Sequence, residues 1–326
     1  MRGGLLSPFA EANPNLYKAH TIFAPYCSSD AWLGGGSGAE AARDSTTPSK
    51  SHFQGFAALN ATLQHALRGN VPGGDSLGQA SNIVLTGGPG AILSLSLLLP
   101  QLRADLPAAA RIHLVCDGCT WGAAVPPSDH TALRAQGRAP GLLPMLKEAW
   151  PLWTPPAPLS PATSVGSAFN RQLLRLADPT NGIVASLTWL APQASAAFLA
   201  SLGVHVGGAG AADNTTIQNA VRALRLSAHA FAAEASQAGV VPRVFSPNCA
   251  WPAELAASDE VFHVGVQQAG PMGARVSAAA LVVDAVSGKS ESSVLIDALC
   301  ETGHAGACNP SCPAVSAEGG EAWPAS

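Results

Sequence analysis

The fold of this chain is decided by the stretch Ile83-Val84-Leu85-Thr86-Gly87-Gly88-Pro89-Gly90-Ala91-Ile92. A short apolar run ends in a glycine-rich turn and passes directly into a long apolar segment, residues 91–102. This pattern predicts a buried strand, a sharp turn and a buried helix. We expect Pro89 to open that helix, because a proline at the first helical position gives up no intrahelical hydrogen bond.

A glycine-rich turn between a strand and a helix can also hold a phosphate group. Phosphate loops of this kind carry Lys-Ser or Lys-Thr directly after the last glycine. Ala91-Ile92 follows Gly90 instead, so the sequence disfavours a phosphate-binding loop here.

The composition indicates a compact, loop-rich α/β protein. The 326 residues are 47% hydrophobic and 12% charged, with 33 Gly and 26 Pro, which is enough chain for one large core or two small ones. A net charge of −4 without a Lys/Arg cluster disfavours nucleic-acid binding. No purely apolar run reaches the roughly 18 residues that a membrane helix needs, so a membrane span is not expected.

The cysteines and the N-terminus point to different compartments. Cys300, Cys308 and Cys312 cluster as in the disulfide-linked tail of a secreted domain, and the chain holds seven cysteines in all. The first residues, however, have no signal-peptide apolar region. Either the protein is cytosolic, or Met1 is not the true start and an N-terminal segment has been lost.

Strands and helices are predicted to alternate along the chain. The predicted strands are 21–26, 83–86, 111–116, 183–190 and 243–245, and the predicted helices are 51–67, 91–102, 193–202 and 214–238. The clearest helix is 214–238, whose apolar stripe includes Val221 and Phe231 and which we expect Gly239 to end. Such alternation is typical of a mostly parallel sheet with helices on both faces.

Two segments depart from this alternation. Residues 123–164 are proline-rich, with one short helix near 142–150, and form either a cap over a pocket or a surface insertion. Residues 313–326 are rich in Pro, Gly, Ser, Ala and Glu and are predicted to be a disordered tail. The expectation is one α/β domain over residues 1–312.

Cys116-Asp117-Gly118-Cys119 forms a C-x-x-C pattern at a predicted strand end. It is either a redox pair or, since no helix clearly starts after it, a pair of packing thiols or a local disulfide. His113 lies in an apolar strand and is expected to be a hydrogen-bonded core residue. No second Cys or His pair at zinc spacing is present, so neither a metal nor a cofactor is predicted.

Several motifs resemble the pectin acetylesterase and Notum family of carboxylesterases. The most specific is Pro25-Tyr26-Cys27-Ser28-Ser29-Asp30-Ala31-Trp32. His52-Phe53-Gln54-Gly55 is similar to the family's His-Phe-Arg-Gly, with the arginine replaced. The remaining motifs follow in the family's order: the 87–91 turn, Asp117-Gly118, Thr188-Trp189-Leu190 and Phe245-Ser246-Pro247-Asn248-Cys249.

The resemblance implies a secreted α/β-hydrolase with a Ser-Asp-His triad that cleaves pectin acetyl groups or a protein-bound acyl group. The serine position of the triad falls on Pro89, the aspartate position on Pro192 and the histidine position on Pro252. Ser94, a nearby hydroxyl, would sit one turn into the helix. The family's Gly-Gly-Gly-Trp segment, which supplies oxyanion-hole N–H groups, is not found, so the first strands of the domain are expected to be missing.

The resemblance therefore predicts a catalytically inactive homologue that binds a glycan or an acylated ligand in a vestigial pocket. Two alternatives stay open. The chain is an active carboxylesterase that uses other catalytic residues, or it is a decayed fragment without a stable fold, since lost strands would expose sheet edges and apolar faces.

Overall fold

The computed structural model describes the parts of the chain given by the following ranges. They are residues 9–10, 16–28, 30–35, 53–69, 76–118, 142–153, 155–162, 166–190, 194–195, 214–246, 250–251, 267–269, 275–289 and 293–296.

The centre of the fold is a parallel sheet of five strands. These are β1 (Asn82–Gly87), β2 (Arg111–Asp117), β3 (Ser186–Leu190), β5 (Arg243–Ser246) and β9 (Ser293–Ile296), in the spatial order β1-β2-β3-β5-β9. Two shorter pairs accompany the sheet. β4 (Ala194–Ser195) and β6 (Ala250–Trp251) pair in parallel, and β7 (Gln267–Ala269) and β8 (Arg275–Ser277) pair antiparallel. The predicted parallel sheet is thus confirmed.

Six helices occur in the described part of the chain. They are α1 (Gly55–Leu67), α2 (Pro89–Asp105), α3 (Leu142–Trp153), α4 (Gly166–Ala177), α5 (Asn214–Gln237) and α6 (Ala278–Ser287). α5 ends at Gln237, shortly before the predicted stop Gly239, whose φ of 74° is left-handed. The Val240 N–H then bonds the Ala235 carbonyl at 2.9 Å, which closes the helix end.

The main core lies between one face of the sheet and helices α2, α4 and α5. Alternate strand residues, among them Leu114, Leu187 and Trp189, are fully buried on this face. The Trp189 ring stacks on Phe231 of α5, with centroids 5.3 Å apart and planes inclined by 10°. Residues 214–238 therefore form a core-facing helix, as their periodicity predicts.

α6 covers the opposite face of the sheet and contacts β2, β3 and β5. Its Leu281 and Val282 are buried. This face also carries polar side chains in the interior, including His113 and Arg243. Helices therefore lie on both faces, as expected for an α/β protein.

Two of the predicted elements are wrong. Residues 21–26 are extended but pair with no described strand, and Ile22, Phe23 and Tyr26 are each about half exposed. An apolar, β-branched run becomes a strand only where a partner strand accepts its backbone hydrogen bonds. Residues 194–195, predicted to be helical, form β4 instead, and residues 196–202 lie outside the described part.

Other elements differ from their predicted bounds. β3 begins at Ser186, three residues later than expected, because a 3-10 turn at Pro179–Asn181 and the left-handed Gly182 (φ 78°) precede it. α3 continues to Trp153. The strand β9 and the helix α6 were not predicted. Residues 123–141 of the proline-rich 123–164 segment and the whole 313–326 tail lie outside the described residues.

Candidate functional site at the carboxyl edge of the sheet

The candidate site lies where the parallel strands end. Because all five strands point the same way, Gly87, Asp117, Leu190 and Ser246 lie at one edge, with Asp117 and Leu190 in direct register. Ligands of open α/β sheets bind just beyond this carboxyl edge. The turn from β1 into α2, which contains Pro89, lies at the same edge.

The turn from β1 into α2 is relaxed. Gly88 is extended (φ −67°, ψ 173°) and precedes the helix, and Pro89 is its first residue, as predicted. The Ile92 N–H makes a 3.0 Å bond to the Gly88 carbonyl. A nucleophile elbow holds its serine in a strained backbone, whereas Pro89 takes the ordinary geometry of a helix start.

The glycines of this turn allow a close approach by the chain segment around Asp30. A Cβ atom on Gly90 would lie 2.1 Å from the carbonyl oxygen of Ala31 and 2.8 Å from its Cβ. Ala31 and Trp32 both have left-handed backbone, with φ of 53° and 63°. Such backbone is unfavourable for side-chain-bearing residues and persists where surrounding contacts fix it.

Asp30 fixes this segment from inside the protein. Its side chain is fully buried, and its Oδ2 accepts a 2.7 Å bond from the N–H of Gly55, the first residue of α1. Its Oδ1 accepts from the Trp32 N–H at 3.0 Å and from the Ser28 hydroxyl. A carboxylate at a helix N-terminus is favoured by the helix dipole as well as by the hydrogen bond.

Ser94 is hydrogen-bonded to the same segment. It is fully buried one turn into α2, and its hydroxyl donates a 2.5 Å bond to the Trp32 carbonyl. Tyr26 adds a further tie, because its hydroxyl oxygen accepts from the Ala31 N–H at 2.6 Å. Partial burial raises the pKa of Tyr26, and the nearby negative charge of Asp30 also raises it. Ser94 is therefore held as a structural hydroxyl, as its position in the sequence suggests.

Sequence reasoning missed the structural role of Asp30. The residue belongs to the most specific motif of the chain, 25–32, but that motif by itself does not name Gly55, 25 positions away, as its partner. We call Asp30, Trp32, Gly55, Gly90 and Ser94 the Asp30 cluster. The cluster connects the first turns of α1 and α2 at the carboxyl edge.

Pro192 and Pro252, to which the resemblance assigns the aspartate and histidine positions of the triad, lie outside the described residues. The strands that flank them in sequence do meet, because Ala194 of β4 is paired with Ala250 of β6. Cys119 and His263 also lie outside the described residues, so the redox interpretation of the C-x-x-C pattern stays untested. Its first member, Cys116, is fully buried at the end of β2.

His113 lies in the interior, away from the carboxyl edge. Its Nδ1 is 2.8 Å from the Ser186 hydroxyl and its Nε2 is 3.4 Å from Asn82 Oδ1, which confirms a hydrogen-bonded core histidine. Burial, together with the positive charges of Arg111 and Arg243, lowers the pKa of His113 to about 4. His229 on α5 also has a pKa below the usual value, through partial burial and the charge of Arg225.

In the described ranges, no group of three or more His, Cys, Asp or Glu side chains is arranged to hold a metal ion. None of the described helices has the length and apolarity that crossing a bilayer requires.

The parallel sheet, its helical layers and the strand-turn-helix at its carboxyl edge define an α/β-hydrolase-like protein. The Pectinacetylesterase family model matches residues 1–134. In sequence, the likeness to the pectin acetylesterase and Notum family therefore covers the N-terminal 134 of the 326 residues.

Two characterised relatives share short stretches with the chain. The palmitoleoyl-protein carboxylesterase NOTUM of Drosophila melanogaster is 35% identical over 97 residues, which are 28% of this chain and 13% of that protein. The inactive palmitoleoyl-protein carboxylesterase notum1b of Danio rerio is 58% identical over 31 residues, 10% of this chain and 22% of that protein. The matched parts thus span well under two thirds of either relative.

The fold extends the likeness over nearly the whole chain. Two crystal forms of the Wnt deacylase Notum from Drosophila each superpose with a TM-score of 0.55. They share 21% and 20% sequence identity, and the superpositions cover 96% and 95% of this chain and 79% and 78% of those chains. At this identity the superpositions establish the fold.

Proposed function

We propose that this chain is a non-catalytic member of its carboxylesterase family that binds a glycan or an acylated ligand at the carboxyl edge of the sheet. The observation that carries the proposal is Pro89. By the resemblance it stands where the family places its nucleophile. It has no hydroxyl, and it starts α2 as the first helical residue.

The surroundings of Pro89 support the same conclusion. An acyl-transfer serine needs a hydroxyl that is exposed to substrate and paired with a base. Ser94, the first serine after the turn, is buried, and its hydroxyl donates a hydrogen bond to a backbone carbonyl. One of the two relatives, notum1b, is itself named inactive, so loss of activity has a precedent among proteins of similar sequence.

The experiment that tests inactivity is hydrolysis of p-nitrophenyl acetate and p-nitrophenyl octanoate by the purified chain. A heat-denatured sample is the control, and a fluorophosphonate probe reports any activated serine. We expect the rate of the denatured control and no covalent labelling. Saturable turnover, or labelling that mass spectrometry maps to one serine, would show an active carboxylesterase with a different nucleophile.

Ligand binding is tested separately. A serine peptide that carries a palmitoleoyl ester, an identical peptide without the acyl group, and acetylated pectin fragments are titrated into the chain by calorimetry. We expect saturable binding of the acylated peptide or of the acetylated glycan, and none of the bare peptide. If neither the acylated peptide nor the acetylated glycan binds, the proposed binding function is wrong and a decayed gene product is favoured.

We also assign the chain to an oxidising compartment. The sulfur of Cys116 is disulfide-bonded, and disulfides persist mainly in secreted and extracellular proteins. Counting free thiols with and without a reductant in protein from an oxidising expression system checks this. A full set of seven reactive thiols before reduction would contradict it.

A further inference from the structure

A second concave surface lies at the other end of the molecule, between the C-terminal ends of α4 and α5. Both helices lead into strands of the parallel sheet, so their ends lie at the amino edge, opposite Pro89. The groove has a volume of about 600 Å³, within the range of small-molecule sites. Its charged lining residues are Arg171, Arg175, Asp178 and Glu234.

The charges in the groove are only partly matched. Arg171 Nη1 is 3.5 Å from Glu234 Oε1, across the gap between the two helices. The other oxygen of Glu234 is buried and has no hydrogen-bond partner among the described residues. Burial raises the pKa of Glu234, against the lowering effect of Arg171. The ion pair with Arg171 therefore engages only one of the two oxygens of the Glu234 carboxylate.

Arg175 is one helical turn after Arg171 and has no carboxylate partner in the part of the chain that the structure describes. Its Nη2 donates a 2.8 Å bond to Gln172 Oε1, which is neutral. Gln172 is itself buried, with 6% of its side chain exposed, so this bond orients the guanidinium. The nearby Asp178 carboxylate accepts bonds from Thr180 and Asn181 instead.

The groove also has an apolar component. Leu174, Pro179 and Ala238 line it beside the arginines. A guanidinium fork matches a carboxylate in two parallel hydrogen bonds, and the apolar lining suits a short hydrocarbon chain.

We propose that this groove binds an organic acid, with its carboxylate on Arg175 and its aliphatic chain against Leu174 and Pro179. The site is independent of the carboxyl edge and of the proposed function. The bound group is an acid and not a neutral lipid, because the Arg175 guanidinium bonds only a neutral amide oxygen among the described residues.

Hexanoate is the probe, titrated into the full chain by calorimetry at low salt. 1-Hexanol has a chain of the same length without charge, and hexyl sulfate carries a different anion. We expect saturable binding of hexanoate with a millimolar dissociation constant, as ligand size allows. Hexanol is expected to bind at least about tenfold more weakly, and hexyl sulfate no more tightly than hexanoate. Equal binding of hexanol, or tighter binding of hexyl sulfate, would overturn the assignment of a carboxylate site.

Three variants locate the site. Arg175→Gln is expected to weaken hexanoate binding at least about tenfold, whereas Arg222→Gln, an exposed arginine of α5 outside the groove, should leave it unchanged. Glu234→Gln should tighten binding, because it removes the carboxylate that competes for Arg171. Unchanged binding in Arg175→Gln, or weaker binding in Glu234→Gln, would overturn the proposal. Thermal melting confirms that each variant is folded.

Discussion

His113 Nδ1 and the Ser186 hydroxyl lie 2.8 Å apart in the interior of the sheet, on neighbouring strands. Arg111 and Arg243 flank the imidazole, and both burial and their charge oppose its protonation. The native state therefore holds His113 neutral where an unfolded chain would already take up a proton.

This neutral histidine predicts an acid-sensitive fold. The pKa of His113 is about 4 in the folded protein, against the ordinary value of about 6.5 when unfolded. Between these values the unfolded state binds more protons, so stability falls as the pH drops from about 6.5 to about 4. Linkage sets the loss at about 3 kcal/mol.

Urea unfolding at a series of pH values measures this loss. His113→Gln should flatten the curve between pH 4 and 6.5, although its stability is lower throughout. His65→Gln, at an exposed position on α1, should keep the steep dependence. If the His113→Gln curve is as steep as that of the unmodified chain, another group is responsible.

Gly90 is predicted to be irreplaceable in the turn before α2. A methyl group there would lie 2.1 Å from the Ala31 carbonyl oxygen, and overpacking of this kind costs about 2–3 kcal/mol. Gly88→Ala is the matched control, since the nearest atom to its added Cβ is 3.9 Å away and the loss should stay below about 1 kcal/mol. Denaturant midpoints compare the two variants, and equal losses would mean that the contact with Ala31 is not rigid.

Asp30→Asn is predicted to weaken the hydrogen bonds of the Asp30 cluster and so to destabilise the fold. The amide has one accepting oxygen where the carboxylate has two, so its NH₂ group would face a backbone or hydroxyl donor in a buried site. Leaving such groups unsatisfied costs about 2 kcal/mol. Asp105→Asn, at an exposed end of α2, should leave the midpoint unaffected. Chemical denaturation followed by tryptophan fluorescence checks both, and an unaffected Asp30→Asn midpoint would refute the structural role of this carboxylate.

A substitution in the stack of Trp189 on Phe231 tests whether the chain is a stable domain or a decayed fragment. Both rings are fully buried, so Phe231→Ala should lose about 3–5 kcal/mol. Leu226→Ala on the same helix, 61% exposed, should lose less than about 0.5 kcal/mol. Calorimetric melting is the measurement. A broad, non-cooperative transition that neither substitution alters would favour the fragment.

The elements that could be predicted from sequence are those whose pattern is local. α5 has a long apolar stripe and a glycine stop, and β1 and β2 are short apolar runs bounded by turns, so each follows from neighbouring residues alone. α6 was missed because a segment of Ala, Val and Leu is equally compatible with a buried strand. The prediction of a strand at residues 21–26 was wrong because strand pairing depends on a partner elsewhere in the chain, which the local pattern does not contain.

The candidate site divides in the same way. The role of Pro89 as a helix start could be predicted, because proline fixes its own backbone. The role of Asp30 could not, because the Gly55 N–H, 25 residues further along the chain, reaches the Asp30 carboxylate only after α1 has been brought against the segment around Asp30.

The order of the five main strands across the sheet is also their order along the chain. During synthesis the N-terminal part leaves the ribosome first, so each strand of this sheet emerges next to a neighbour that is already available. None has to be inserted between two strands made earlier. A nascent chain that has emerged only as far as Leu190 already holds β1, β2 and β3 with α2 and α4 to cover them, so this sheet can be built vectorially, one strand at a time.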